Sequence, residues 1–131
     1  MGSRRAMRRW RREASPLIAA LFSAQQELMI AVGDPGVTVL AACDQLDRAI
    51  ADAERWTIAN PCPDDQVAES VADLVAACSG MWAMMTAIAR RAPAGIDAGA
   101  QMLPSTFSGY MVDRVTALAH ASDDVRRFGF R

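Results

Sequence analysis

The one histidine, His120, is followed by Asp123 and Asp124. An imidazole beside a carboxylate is half of a general-base arrangement. Nucleophilic catalysis also needs a Ser or Cys set by a recognisable motif, and none accompanies it. On a helix the 120/124 pair is an ordinary surface contact. Cys43, Cys62 and Cys78 show neither CxxC nor Cys/His metal spacing. They read as reduced, buried thiols, with a Cys43–Cys78 bridge between neighbouring helices as the alternative. The carboxylates Asp44, Asp47, Asp52, Glu69, Asp73 and Asp113 lie on predicted helices. A di-iron bundle requires Glu-x-x-His on two helices, and here the residue three before His120 is Ala117. Solvated helix faces account for these acids. No catalytic residue, metal site or cofactor is assigned, and the chain is expected to act by binding.

Two groups suit binding. The first is basic: Arg4, Arg5, Arg8, Arg9, Arg11 and Arg12 face a single acid, Glu13, in residues 1–14, a local charge of +5. Residues 15–131 carry eight arginines against fourteen acids, or −6. A basic arm on an acidic body follows. Such an arm can hold nucleic-acid phosphates with Trp10 stacked on a base. It can lie on an anionic membrane with Met7, Trp10 and Ala14 inserted. It can also dock on an acidic protein face, or serve only as a solvated tail. Outside the arm no basic stripe continues a nucleic-acid track. The second group is Met81, Trp82, Met84 and Met85. Methionine is flexible and polarizable, and Met-rich surfaces accept varied apolar partners. Successive residues turn by ~100° on a helix, so one neighbour cannot bury all four. The helix is therefore either central to its bundle or in contact with a protein partner or a second copy.

The elements that must position these groups are helices. Val67, Val71, Leu74, Cys78, Met81, Met85 and Ile88 follow a 4-3-4-3-4-3 spacing, the rhythm of helices packed side by side. Ser15-Pro16 reads as a cap and first helical position, because Pro16 inside a helix would clash with the Arg12 carbonyl. Residues 1–14 are then a separate short helix or disordered. The first bundle helix runs from Pro16 to about Val32, with Leu17, Leu21, Ala24, Leu28 and Ala31 as its stripe. Asp34-Pro35 starts a second helix to about Ile58, with Val39, Cys43, Leu46, Ile50 and Ala53 inward. Asn60-Pro61-Cys62-Pro63 breaks the chain. Pro63 sets the first turn of the third helix, and Asp64 and Asp65 suit its positive N-terminal end. The helix ends near Arg91 and has Gly80 as a point of bending or close approach. Residues 92–104 read as a linker with at most one helical turn. The fourth helix spans about Ser105–Arg127, with Phe107, Met111, Val115, Leu118, Ser122 and Val125 inward, and 128–131 form a tail.

The fold class expected is all-α: an up-down four-helix bundle with a longer link between its third and fourth helices and a basic N-terminal arm (1–14) on a single domain (15–131). A chain of 131 residues, 52% apolar and 22% charged, suits one globular domain. All 14 basic side chains are arginine, pointing to a GC-rich coding sequence. Ser3-Arg4-Arg5 before the apolar run 17–22 has the outline of an export leader. Pro16 and the polar Gln25-Gln26-Glu27 argue against it. Residues 74–89 are uncharged but shorter than the roughly 20 needed to span a bilayer. The expectation is a cytoplasmic adaptor or regulatory protein, peripheral to a membrane at most. It would contact a protein partner or itself through Met81, Trp82, Met84 and Met85. Its arm would attach to an anionic partner through the six arginines and Trp10. The alternatives are a nucleic-acid-associated regulator and a peripheral membrane protein. No small-molecule substrate is inferred.

Overall fold

A computed structural model describes residues 2–91 and 106–131, with side chains for 4–91 and 109–131. The described chain is all-α: α1 (Gly2–Ile30), a 3-10 turn (Ala31–Gly33), α2 (Gly36–Ala59), α3 (Asp65–Arg91) and α4 (Thr106–Arg127) form a four-helix bundle. Among the described residues there is no strand. Helix α1 packs on α2, α2 on α3, and α3 on α4. The α1–α4 seam is bridged by long side chains: the Gln25 amide donates to the Ser122 hydroxyl at 3.3 Å, and the Arg126 guanidinium lies 4.5 Å from the Phe22 ring centre. The expected linker at 92–104 and the inward placement of Phe107 fall outside the described side chains.

The seam of α3 is the spine of the core. All seven of its residues are buried, with Leu74 and Cys78 fully enclosed. They meet Leu21 and Leu28 of α1, Val39 and Leu46 of α2, and Leu118 and Val125 of α4 in one apolar cluster. Each such side chain contributes about 1.5–3 kcal/mol on burial, which drives the assembly.

The helix starts differ in detail from the spacing argument. Asp34 makes no side-chain cap; Pro35 precedes the first turn, and its carbonyl accepts from Thr38 and Val39. Before α3, Asp64 sits at the helix start as its charge suggested: its carboxylate accepts the Gln66 and Val67 amides at 2.9 and 3.2 Å. That satisfies two otherwise orphaned donors and places a negative charge at the positive helix end. Gly80 proves to be a point of close approach, since a Cβ there would lie 2.8 Å from the Arg114 guanidinium of α4.

The largest departure is at Pro16. The helix passes through it without interruption, so residues 2–14 are neither a separate short helix nor a disordered arm. Ser15 is not a cap; its hydroxyl donates back to the Arg11 carbonyl at 2.6 Å. An interior proline costs about 3 kcal/mol, through one lost backbone hydrogen bond and a clash. That cost is offset by tertiary contacts before the proline, where Trp10 and Ala14 are buried and Met7 packs against the core.

Candidate functional site

Trp10 organises the end of the bundle where α1 begins. Its indole N–H donates to the Asn60 carbonyl at 2.7 Å, in the α2–α3 turn. Its ring lies 5.3 Å from Trp56, tilted by 50°, and 6.2 Å from Phe130 in an edge-on contact. Aromatic pairs of this kind add about 0.5–1.5 kcal/mol each beyond area burial. Phe130 arrives from the C-terminal tail because Gly129 takes φ +94, a left-handed conformation that glycine adopts without strain. Cys62 completes the plug, its thiol 3.9 Å from the Met7 sulfur.

This plug fixes the direction of the arginines. With Met7, Trp10 and Ala14 turned inward, Arg4, Arg5, Arg8, Arg9 and Arg12 are exposed on the outer side of the same helix. Among the described residues only one ion pair involves them, Arg9 with Glu13 at 3.2 Å, and both partners are well exposed. Exposed pairs of this type are worth at most about 1 kcal/mol. Arg11 differs from the rest: it is half-buried beside Gly129, and its Nε has no hydrogen-bond partner among the described residues. Trp10 is the clear correction. It is 5% exposed and its one donor is used, so it does not offer a face to a nucleobase or a lipid.

The methionine group is likewise divided by the packing. Met81, Met84 and Met85 are buried in the core, and only Trp82 stays half-buried at the surface. As a partner-binding face the set is reduced to Trp82, because α3 is central enough to turn the three methionines inward.

The chemically capable groups are dispersed. His120 is exposed. Its neighbouring acids are engaged elsewhere, Asp123 with Arg126 at 3.5 Å and Asp124 with Arg127 at 3.4 Å. Cys43, Cys62 and Cys78 are all free thiols. Burial pushes the Cys78 thiol up to about 12. Burial also raises Cys43, with the Thr86 hydroxyl partly opposing it, and raises Cys62, with the Asp64 backbone partly opposing it. Thiols held protonated in this way are poor nucleophiles. Among the described residues no group of three or more His, Cys, Asp or Glu side chains could hold a metal ion.

One concavity escaped the spacing argument. A groove of about 500 Å³ opens between the outer faces of α2 and α3, lined by Ile58, Val71, Val75 and small alanines, with Trp10 and Cys62 at one end. Ile58 is 80% exposed at its rim. The available signal was the run of alanines opposite the buried seam of α3. Helices Arg4–Gly33 and Asp65–Arg91 are long and apolar enough by composition to cross a membrane, and both have apolar faces packed in the bundle. In comparisons with known proteins, no family model, no curated protein and no solved structure matches the chain.

Proposed function

We propose that the protein is a non-enzymatic helical adaptor or regulatory subunit, attached to an acidic partner surface through the arginine face of α1. The observation that carries this reading is the orientation of Arg4, Arg5, Arg8, Arg9 and Arg12. They project from a helix whose opposite side is pinned by Trp10, so their geometry is set before any partner arrives. Preorganisation lowers the entropy lost on binding. Guanidinium groups on such a rod favour carboxylate or phosphate, with which they form paired hydrogen bonds. The thiols and the lone imidazole are dispersed, which supports binding over catalysis.

A nucleic-acid regulator is the second reading, supported by the i,i+4 repeat of Arg4, Arg8 and Arg12 along one rod. The membrane-surface reading loses its apolar anchors, since Met7, Trp10 and Ala14 face the core. The test compares the wild-type chain with a variant carrying Gln at the five exposed positions. Binding is measured to immobilised polyglutamate, duplex DNA and phosphatidylglycerol vesicles at low and high salt. The adaptor reading expects salt-sensitive retention on polyglutamate that the Gln variant loses. Retention only on DNA supports the second reading, and equal retention of both chains on every probe refutes attachment through this face.

A further inference from the structure

The outer face of α3, opposite the buried seam, carries its own pattern. Asp65, Ala68, Ala72, Ala76, Ser79, Ala83, Ala87 and Arg90 are spaced 3-4-4-3-4-4-3, a string that reads the same in both directions. Steps of 3-4-4 sum to an eleven-residue repeat that stays almost parallel to the helix axis, so these positions form one straight line. Ala72, Ala76, Ala83 and Ala87 are exposed, and so are Asp65 and Arg90 at the two ends. Small side chains let a second helix come close, near the lower end of the ~8–10 Å interaxial range.

We infer that this face is a two-fold interface, in which α3 packs antiparallel against α3 of a second copy of the chain. The occupant follows from the palindrome. With the axis passing between residues 77 and 78, Ala68 meets Ala87 of the second copy, Ala72 meets Ala83, and Ala76 meets Ser79. Asp65 then meets Arg90 at both ends of the contact. An isologous interface requires each patch to be its own complement, and opposite charges at mirrored positions on one helix meet that requirement. A parallel pairing would set Asp65 against Asp65 and Arg90 against Arg90. From Asp65 to Arg90 the line is about 38 Å long, at ~1.5 Å per residue.

The flank of the line adds apolar area. Trp82 lies seven residues beyond Val75 of the α2–α3 groove, on the same side of α3. The two-fold brings that flank beside its own equivalent, with Trp82 level with residue 73 of the second copy, at the groove between Ala72 and Val75. A half-buried tryptophan entering an apolar groove is the usual kind of interface anchor. The exposed charge pairs supply direction and register, and the apolar contact supplies most of the affinity. The inference goes beyond the adaptor reading and leaves the α1 face untouched, so either can fail alone.

The experiment is sedimentation equilibrium of the full chain from micromolar to millimolar concentration, with far-UV circular dichroism confirming that each variant is folded. The wild type is expected to dimerise, and Ala76→Glu, at an exposed central position, to be monomeric with an unchanged spectrum. Asp65→Arg alone and Arg90→Asp alone each convert two attractive pairs into repulsive ones, and should raise Kd about tenfold or more. Mixed in equal amounts, these two variants restore opposite charges at both ends and should recover the dimer as a heterodimer. A wild-type chain that stays monomeric throughout, an Ala76→Glu chain that dimerises like wild type, or a mixture no tighter than its components overturns the inference.

Discussion

Replacing Trp10 by alanine tests whether the arginine segment is part of the folded body. The side chain is 5% exposed, and its removal leaves a large void among Trp56, Phe130 and the α2–α3 turn. Core Trp-to-Ala changes cost about 3–5 kcal/mol, and loss of the bond to the Asn60 carbonyl adds about 1 kcal/mol. A total of about 4–6 kcal/mol is a large part of the 5–15 kcal/mol that holds a typical domain together. With an unfolding entropy of ~2.1 cal/mol/K per residue over the whole chain, Tm should fall by about 15–20 °C. Urea unfolding followed by circular dichroism gives the free energy, and hydrogen exchange of residues 2–14 gives the local consequence. Trp10→Phe keeps most of the ring but removes the donor, and should lose a much smaller amount. If Trp10→Ala costs under about 1 kcal/mol and exchange in residues 2–14 is unchanged, the segment is not docked and the preset arginine face is lost with it.

Other outcomes follow from the same geometry. Pro16→Ala restores a backbone donor inside α1 and should raise stability by about 1–3 kcal/mol in urea unfolding; destabilisation would contradict a helix continuous through this residue. Gly129→Ala forces a side chain into the φ +94 position that returns Phe130 to the core, and should cost about 1–2 kcal/mol by thermal unfolding. Burial raises the Cys78 thiol from about 9 to about 12, so the unfolded chain releases this proton first. The stability tied to the neutral thiol is therefore complete below about pH 9 and falls as pH rises toward 12, by up to about 1.4 kcal/mol per pH unit. Cys78→Ala should be less stable at neutral pH yet show a flatter decline above pH 9. In thiol-modification kinetics Cys62, the one cysteine not buried, should react well before Cys43 and Cys78.

The methionine cluster illustrates how far spacing reaches. The four residues Met81, Trp82, Met84 and Met85 cover too much of the helix for one neighbour, which is a property of the 100° turn and needs no structure. Whether the excess faces the protein's own core or a partner depends on how many helices surround α3, and the packing of α2 and α4 on either side of it settles that for the methionines. The basic segment shows the converse. Its residues are amphipathic on paper, with Met7, Trp10 and Ala14 on one side, but an amphipathic segment suits a membrane, a partner or a core equally well.

The all-α class, the extents of α2, α3 and α4 to within a few residues, and the burial of the α3 seam are all legible in residue spacing. These depend on near-neighbour periodicity and on local breakers such as Asn60-Pro61-Cys62-Pro63, whose effects act within a turn or two. Tertiary structure alone decided the fate of residues 2–14. Pro16 imposes a local cost that predicts a break. The compensating interactions come from Asn60, Trp56 and Phe130, far along the chain, and no local pattern reports a pocket assembled from such distant parts.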